Sequence, residues 1–481
     1  MLHREHPAAA FDPGYACLVG GDAAIWFNLA NAQSRAGRPL DAADSLVRCL
    51  RLAPEFGPAH ANLATNLLRL GLLDPARDFA ASAVALRPDD PEALACQAGI
   101  LHHAGEFALA AGCYRRALVS APDHAGILSS LGNTLDAMGD LDEALAMHNR
   151  AVSLAPSDAT GRFNRAVSLL TAGAYAEGWA EYAWRWRRPG HAPAIASPPW
   201  RGEAPEGRTI LLHAEQGLGD TLQFARYAPL VAARGWRVLL EVQPPLVRLL
   251  RGPPDIAEVF ARGETRPRFD CHCPLLSLPH AFATTLDRVP ATAPYLHADA
   301  GTVARWRDRL GTDGALLVGL VWAGAPHRDD SVSMLLDRRR SLAPGDLAAF
   351  AHIPRVRFVS LQKDQPPPDI DGLAMLNPMS EMRDFADTAG LVGALDLIIS
   401  VDTSVAHLAA GMGRPVWLLS RADACWRWLR HRADSPWYPS MTLYRQSRPG
   451  DWAEVLARVR ADLLTRTVAA FPPLAAARQT R

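Results

Sequence analysis

Two short stretches carry residue types whose spacing could do chemistry. In DLIISVDTSVAHL (396–408) an apolar run ends at Asp402, Thr403 and Ser404 open a helix, and His407 lies one turn on. A helix start offers unpaired N–H groups and a partial positive charge. Two hydroxyls beside it complete a site for a diphosphate, with His407 placed to face the same ligand. The same residues also make an ordinary helix cap. In HAEQGLGDTLQF (213–224) an apolar run leads through Gln216, Gly217 and Gly219 to Asp220. The glycines allow a tight turn and close approach of a ligand. Asp220 then either caps the next helix or projects into a cleft. A phosphate cradle fits less well, because G-x-G-x-x-G is absent and an acid stands where a phosphate would be repelled.

Both stretches need strands behind them. The pattern from residue 209 onward predicts strands over Thr209–His213, Arg237–Val242 and Phe269–Leu276, with helices over Asp220–Arg234 and Pro245–Leu250. ATAPYLHADA (291–300) reads as a crossing to a second series. That series has strands over Ala315–Trp322, Val356–Leu361, Asp396–Val401 and Pro415–Leu419. Its helices are expected over Asp346–His352, Asp384–Leu395, Ser404–Gly411 and Gly450–Thr465. Continuous apolar strands alternating with helices imply parallel sheets covered on both faces. Two such halves make a cleft, with ligand at the carboxyl ends of the strands.

The first third repeats. Pro54, Pro88, Pro122 and Pro156 stand 34 residues apart, as do Gly37, Gly71, Gly105, Gly139 and Gly173. Small residues keep the interval at Ala42, Ala76, Ala110 and Ala144. The pattern resembles the tetratricopeptide repeat, in four full units over about 23–156 and a partial one over 159–186. Gly ends the first helix of each pair, Pro follows the second, and pairs stack into a superhelix with a concave groove. Asn28, Asn62 and Asn164 recur at one position of the first helices, and Asn133 stands at another. They form either a solvated face or a ladder of amides that holds a peptide backbone without reading its side chains. The repeat arm of eukaryotic protein O-GlcNAc transferase has a similar ladder.

The segment 396–419 further resembles the signature of heptosyltransferase-like glycosyltransferases, in which D-T-x-x-x-H holds the diphosphate of a nucleotide sugar. VGLVWAGAPHRDD (318–330), LDRRRSL (336–342), FVSLQKD (358–364), DFADTAGLV (384–392) and SPWYPSMTLYRQSRPGDW (435–452) are similar to a bacterial group that joins tetratricopeptide repeats to this catalytic unit. The resemblance covers about 23–465 and implies an α-solenoid followed by a GT-B fold, two Rossmann-like domains facing a cleft. The expected boundaries are 23–190 for the repeats, 191–208 for a proline-rich linker, 209–298 for the acceptor side and 299–468 for the donor side. The resemblance makes Asp220 the general base and Gln216, Gly217 and Gly219 its loop. It makes Asp402, Thr403, Ser404, His407, Arg340, Lys363, Gly324 and Met379 the donor site. One departure stands out: PHRDDSVSML lengthens the 325–335 loop that borders the donor.

Composition sets the outer limits. The formal net charge is zero, so nothing draws the chain generally to phosphate backbones and no nucleic-acid partner is expected. No apolar window of membrane-spanning length appears, and the start lacks the apolar core of a signal peptide. Seven cysteines, odd in number and scattered, point to a reducing, cytoplasmic compartment. Cys271-His272-Cys273 has poor ligand spacing, so no metal is expected. Aromatics at 179–186 and Trp426, Trp428 and Trp437 are expected in cores. The expected function is transfer of a sugar from a nucleotide sugar, without a cofactor and with inversion, to a protein recruited by the repeat groove. Flagellin is the first candidate acceptor, as for the flagellin glycosyltransferases of similar plan. The alternatives are a glycan or lipid acceptor, or a non-catalytic scaffold with a vestigial second half. The sequence leaves the oligomeric state open.

Overall fold

The computed structural model describes residues 21–190, 195, 197–252, 254–311, 314–324 and 331–470. The chain forms two compact units. Among the described residues, one takes in 21–172, 181–190 and 331–339, and the other holds 173–180, those between 195 and 324, and 340–470.

The first unit is a helical solenoid of the expected period. Second helices run over Pro39–Leu52, Leu73–Leu86, Phe107–Ser120 and Leu141–Leu154. Each stops two residues before its proline, which cannot continue an α-helix. First helices run over Gly21–Arg35, Gly57–Arg69, Pro91–Ala104, Ala125–Met138 and Ala159–Thr171. Between the two helices of each pair the chain turns through left-handed backbone at Gly37, Gly71, Gly105, Gly139 and Gly173, with φ from 74° to 92°. A Cβ at these positions would be strained, which is why glycine keeps the interval. Ala42, Ala76, Ala110 and Ala144 are fully buried where the paired helices approach.

The second unit contains two sheets, parallel throughout. The first has the order β3-β2-β1-β4, from β1 (Thr209–His213), β2 (Arg237–Val242), β3 (Ile256–Ala261) and β4 (Cys271–Pro274). The second has the order β10-β9-β8-β5-β6-β7, from β5 (Leu316–Val321), β6 (Val356–Ser360), β7 (Met375–Leu376), β8 (Leu397–Val401), β9 (Val416–Ser420) and β10 (Met441–Arg445). All residues of β5, β8 and β9 are buried, as expected for strands covered on both faces. Trp426, Trp428 and Trp437 are buried, and Tyr175 and Trp179 pack in the same aromatic cluster with Trp437.

Several boundaries differ from expectation. The helix expected over Asp220–Arg234 starts two residues earlier and breaks into Leu218–Phe224, a tight turn, and Ala228–Ala233, with Pro229 in the first turn of the second piece. Proline is tolerated there because its missing N–H would have no intrahelical partner. The segment expected as a helix over Asp346–His352 is a 3-10 stretch, Pro344–Phe350. Strands β3, β7 and β10 and the helix Ala300–Leu310 are not among the expected elements. The lengthened loop is only partly a loop, because Ser331–Arg340 is helical. Residues 325–330 of that loop, and 191–194 and 196 of the expected linker, lie outside the described residues.

Candidate functional site

Helix Leu218–Phe224 follows β1 of the first sheet, and helix Ser404–Gly411 follows β8 of the second. Their first turns touch. A Cβ built on Gly219 would stand 2.8 Å from Cδ2 of His407 and 3.5 Å from Cα of Ser404. No side chain larger than hydrogen fits there without displacing the imidazole.

On the first helix, Asp220 sits in the third position. Its Oδ2 accepts from the Gly217 amide at 2.9 Å, so it does cap the helix. Its Oδ1 is held by the Arg427 guanidinium. Arg427 also donates to Gln223 Oε1 (2.6 Å) and Cys425 Sγ (3.0 Å), and its guanidinium lies 4.2 Å from the centroid of Trp426. Gln216 lends its carbonyl oxygen to Gln243 Nε2 at 2.8 Å, which ties the loop to the end of β2.

On the second helix, Thr403 occupies the cap position but makes no side-chain bond to the helix amides. Its hydroxyl pairs instead with Ser400 Oγ at 3.0 Å. Asp402 accepts from Trp428 Nε1 at 2.8 Å, and its other oxygen lies 3.8 Å from His407 Nε2. His407 is 5% exposed. Its Nδ1 bonds the Tyr438 hydroxyl at 2.8 Å and its ring stacks on Trp428. Burial holds its imidazole down to about 4, against the opposing pull of the Asp402 carboxylate, so the ring is neutral at pH 7.

Arg340 reaches the Asp402 carbonyl oxygen at 3.3 Å, and Gly324 leaves the room its guanidinium needs. Its neighbour Arg339 stands elsewhere, 5.4 Å from the centroid of the Phe107 ring in the repeat unit. Lys363 is exposed beyond β6. The residue before it, Gln362, is buried and accepts from the amides of Trp322 (3.2 Å) and Ala323 (2.9 Å) at the end of β5. Met379 is half-buried in the turn Met379–Glu381. Among the described residues no group of three or more His, Cys, Asp or Glu is placed to hold a metal.

Sequence reasoning missed Arg427 and the role of Trp428. The tight turn Trp426–Trp428 holds one carboxylate from each helix start, Asp220 through Arg427 and Asp402 through Trp428. The W-R-W pattern signals only an aromatic core, and nothing local marks the arginine's partner.

In the repeat unit, Asn62 donates to Asn31 Oδ1 at 2.7 Å. Asn164 is buried and donates to Ser129 Oγ at 3.1 Å. Asn28 is exposed and Asn133 half-buried. The amides at 62 and 164 therefore stitch neighbouring repeats together.

The tetratricopeptide repeat family matches residues 27–91, 61–125 and 129–186, so the N-terminal solenoid is built of these repeats. The chain is 27% identical over 515 residues to protein FlbA of Caulobacter vibrioides, a match that spans 91% of this chain and 83% of that protein. It is 36% identical over 80 residues to the peroxisomal targeting signal receptor of Eremothecium gossypii, over 16% of this chain and 14% of the receptor. Among solved structures, TTC0263, a thermophilic TPR protein of Thermus thermophilus, is 22% identical with a TM-score of 0.33. The match covers 36% of this chain and 92% of that one. YrrB, described as a TPR protein with an unusual peptide-binding site, is 19% identical with a TM-score of 0.28. The match covers 38% of this chain and 95% of that one. The similarity to FlbA thus extends well past the repeats into the two-sheet unit. Among the described residues no helix is long and apolar enough to cross a membrane.

Proposed function

We propose that the protein is a glycosyltransferase of GT-B plan. It moves a sugar from a nucleotide-sugar donor to a hydroxyl on a protein bound through the repeats. The observation that carries this reading is the meeting of two helix starts, one behind each parallel sheet, around Gly219, Asp220, Ser404 and His407. Asp220 takes the proton of the acceptor hydroxyl as its oxygen attacks the anomeric carbon. The bond from that carbon to the diphosphate breaks, and the charge left on the diphosphate falls to the first amides of helix Ser404–Gly411 and to Arg340. His407, neutral and buried, packs behind that helix start and donates no charge. Lys363 and Met379 are assigned to the nucleoside side. An inverting, metal-independent outcome follows from the heptosyltransferase resemblance, as does flagellin as the first acceptor to try, ahead of a glycan or lipid.

A scaffold without catalysis is the second reading, favoured by one observation: Asp220 and Asp402 are both already engaged by the 426–428 turn. A thermal-shift panel of UDP-, GDP-, ADP- and CMP-linked sugars on wild type and Thr403→Ala separates the two. A ligand that binds only the folded state raises the melting temperature by mass action. A shift with one donor class, weakened in the variant, is the expected result. No shift with any donor at millimolar concentration rejects the transferase in favour of the scaffold.

A further inference from the structure

The Asp220–Arg427 pair is hard to reconcile with a carboxylate that is always ready to act. Both oxygens of Asp220 are engaged, one by the guanidinium and one by the Gly217 amide. An acceptor hydroxyl that approaches Oδ1 competes there with a charge-assisted hydrogen bond. The pair is also not sealed away, since the Asp220 side chain keeps 18% of its surface and Arg427 10%. Arg427 holds the residue next to Gly219, and Gly219 lies against His407 and Ser404, which places the guanidinium near the start of helix Ser404–Gly411. Gln223 is fully buried and gives its carbonyl oxygen to Arg427, yet its amide nitrogen has no hydrogen-bond partner. That donor is open to a ligand oxygen or a bound water.

We infer that the Asp220–Arg427 ion pair is a mask which the donor's diphosphate removes. This rests on the transferase reading. The incoming diphosphate takes the Arg427 guanidinium, whose planar fork suits phosphate oxygens as well as a carboxylate. Asp220 is thereby released to serve as the base only when a donor is present. The expected consequence is that the acceptor hydroxyl finds a free carboxylate oxygen only while a donor is bound. Arg427 is in this account a donor-binding residue as well as the group that positions Asp220.

The test is a double-mutant cycle read by calorimetric titration of UDP, GDP and ADP into wild type, Asp220→Asn, Arg427→Gln and the double variant. Asp220→Asn keeps the shape and removes the competing charge, so it should bind the preferred nucleotide about tenfold more tightly than wild type, while Arg427→Gln binds about tenfold more weakly. The deciding outcome is the double variant. If Arg427 exchanges partners, Asp220→Asn gains nothing once Arg427→Gln is also present. An equal gain in both backgrounds reports simple charge repulsion and overturns the mask while leaving the transferase standing. Unchanged affinity in Asp220→Asn also overturns the mask alone. Failure of all four proteins to bind any of the three nucleotides overturns the mask, and the absence of a thermal shift with any of the four nucleotide sugars overturns the transferase as well. Arg427→Met, which keeps most of the length and removes the charge, replaces Arg427→Gln in the cycle if the latter does not fold. Damage to the fold alone cannot produce the tighter binding expected of Asp220→Asn.

Discussion

The two helix starts that meet at Gly219 are finished in opposite ways. At Leu218–Phe224 the chain supplies its own anion: Asp220 bonds back to the Gly217 amide and is paired with a guanidinium. At Ser404–Gly411 the residue in the cap position turns its hydroxyl away to Ser400 and leaves the first amides without a side-chain acceptor. Ordinary capping contributes about 1 kcal/mol to a helix, so a threonine that declines to cap gives up stability. The contrast assigns the parts. On the proposed transferase reading the first start holds an acid in place, and the second keeps its positive end for a negative ligand.

Substitutions at each start should separate those parts. Asp220→Asn is expected to lower the rate of sugar transfer by about 10²–10⁴, the usual contribution of a general base, while nucleotide binding tightens. Steady-state transfer with a fixed donor checks it, and equal rates would remove Asp220 from the chemistry. The pH dependence of stability comes next. His407 is held to about 4 in the fold against an ordinary 6.5, so the unfolded chain takes up a proton first as pH falls. Its contribution is fully present above about 6.5 and is lost between 6.5 and 4, on the order of 3 kcal/mol at the limit. Urea unfolding from pH 7.5 to 4.5 should show that slope, and His407→Gln should reduce it by that share, leaving what the likewise buried His148 and His213 contribute.

Smaller effects test the contact itself. Gly219→Ala must push against the imidazole and is expected to cost about 1–3 kcal/mol in denaturant unfolding. Gly217→Ala meets only the carboxylate of Asp220, at 3.2 Å, and should cost less. If the two cost the same, the helix starts are not in close contact. Thr403→Ala should weaken nucleotide binding about fivefold, the loss of one neutral hydrogen bond, with little change in stability. Ser400→Ala, which removes only the partner of that hydroxyl, should change affinity by less than about threefold. Titration of both variants with the same nucleotide ranks them.

What the sequence discloses follows from what is local. The 34-residue interval reports a backbone condition, left-handed φ at each glycine, that holds whatever the neighbouring repeat contains. Strands Thr209–His213 and Arg237–Val242 and helix Ser404–Gly411 are legible to the residue because apolar runs end there in turn or capping residues. Strand Ile256–Ala261 is not, since it is an edge strand with Glu258 exposed and a short apolar signal. The helix Ser331–Arg340 hides behind polar residues that lack a strong apolar stripe. Asn62 and Asn164 can be placed on a helix face but not given partners, because each bonds a residue of the preceding repeat. Asp220 is legible as an acid after a glycine turn. Its arginine is not, because the pair depends on how the strands of both sheets are brought together.

Asp220 and Arg427 stand 207 residues apart. At synthesis rates of about 5–20 residues per second, the arginine emerges roughly 10–40 s after the aspartate. Every strand of the first sheet has been made well before then, and its acid waits for a partner that comes from the second. The tight turn at Trp426–Trp428 is therefore also a late closing step in the making of the protein. A ribosome that stalls before it leaves a chain that carries the repeats and every strand of the first sheet but neither the guanidinium that holds Asp220 nor the indole that holds Asp402.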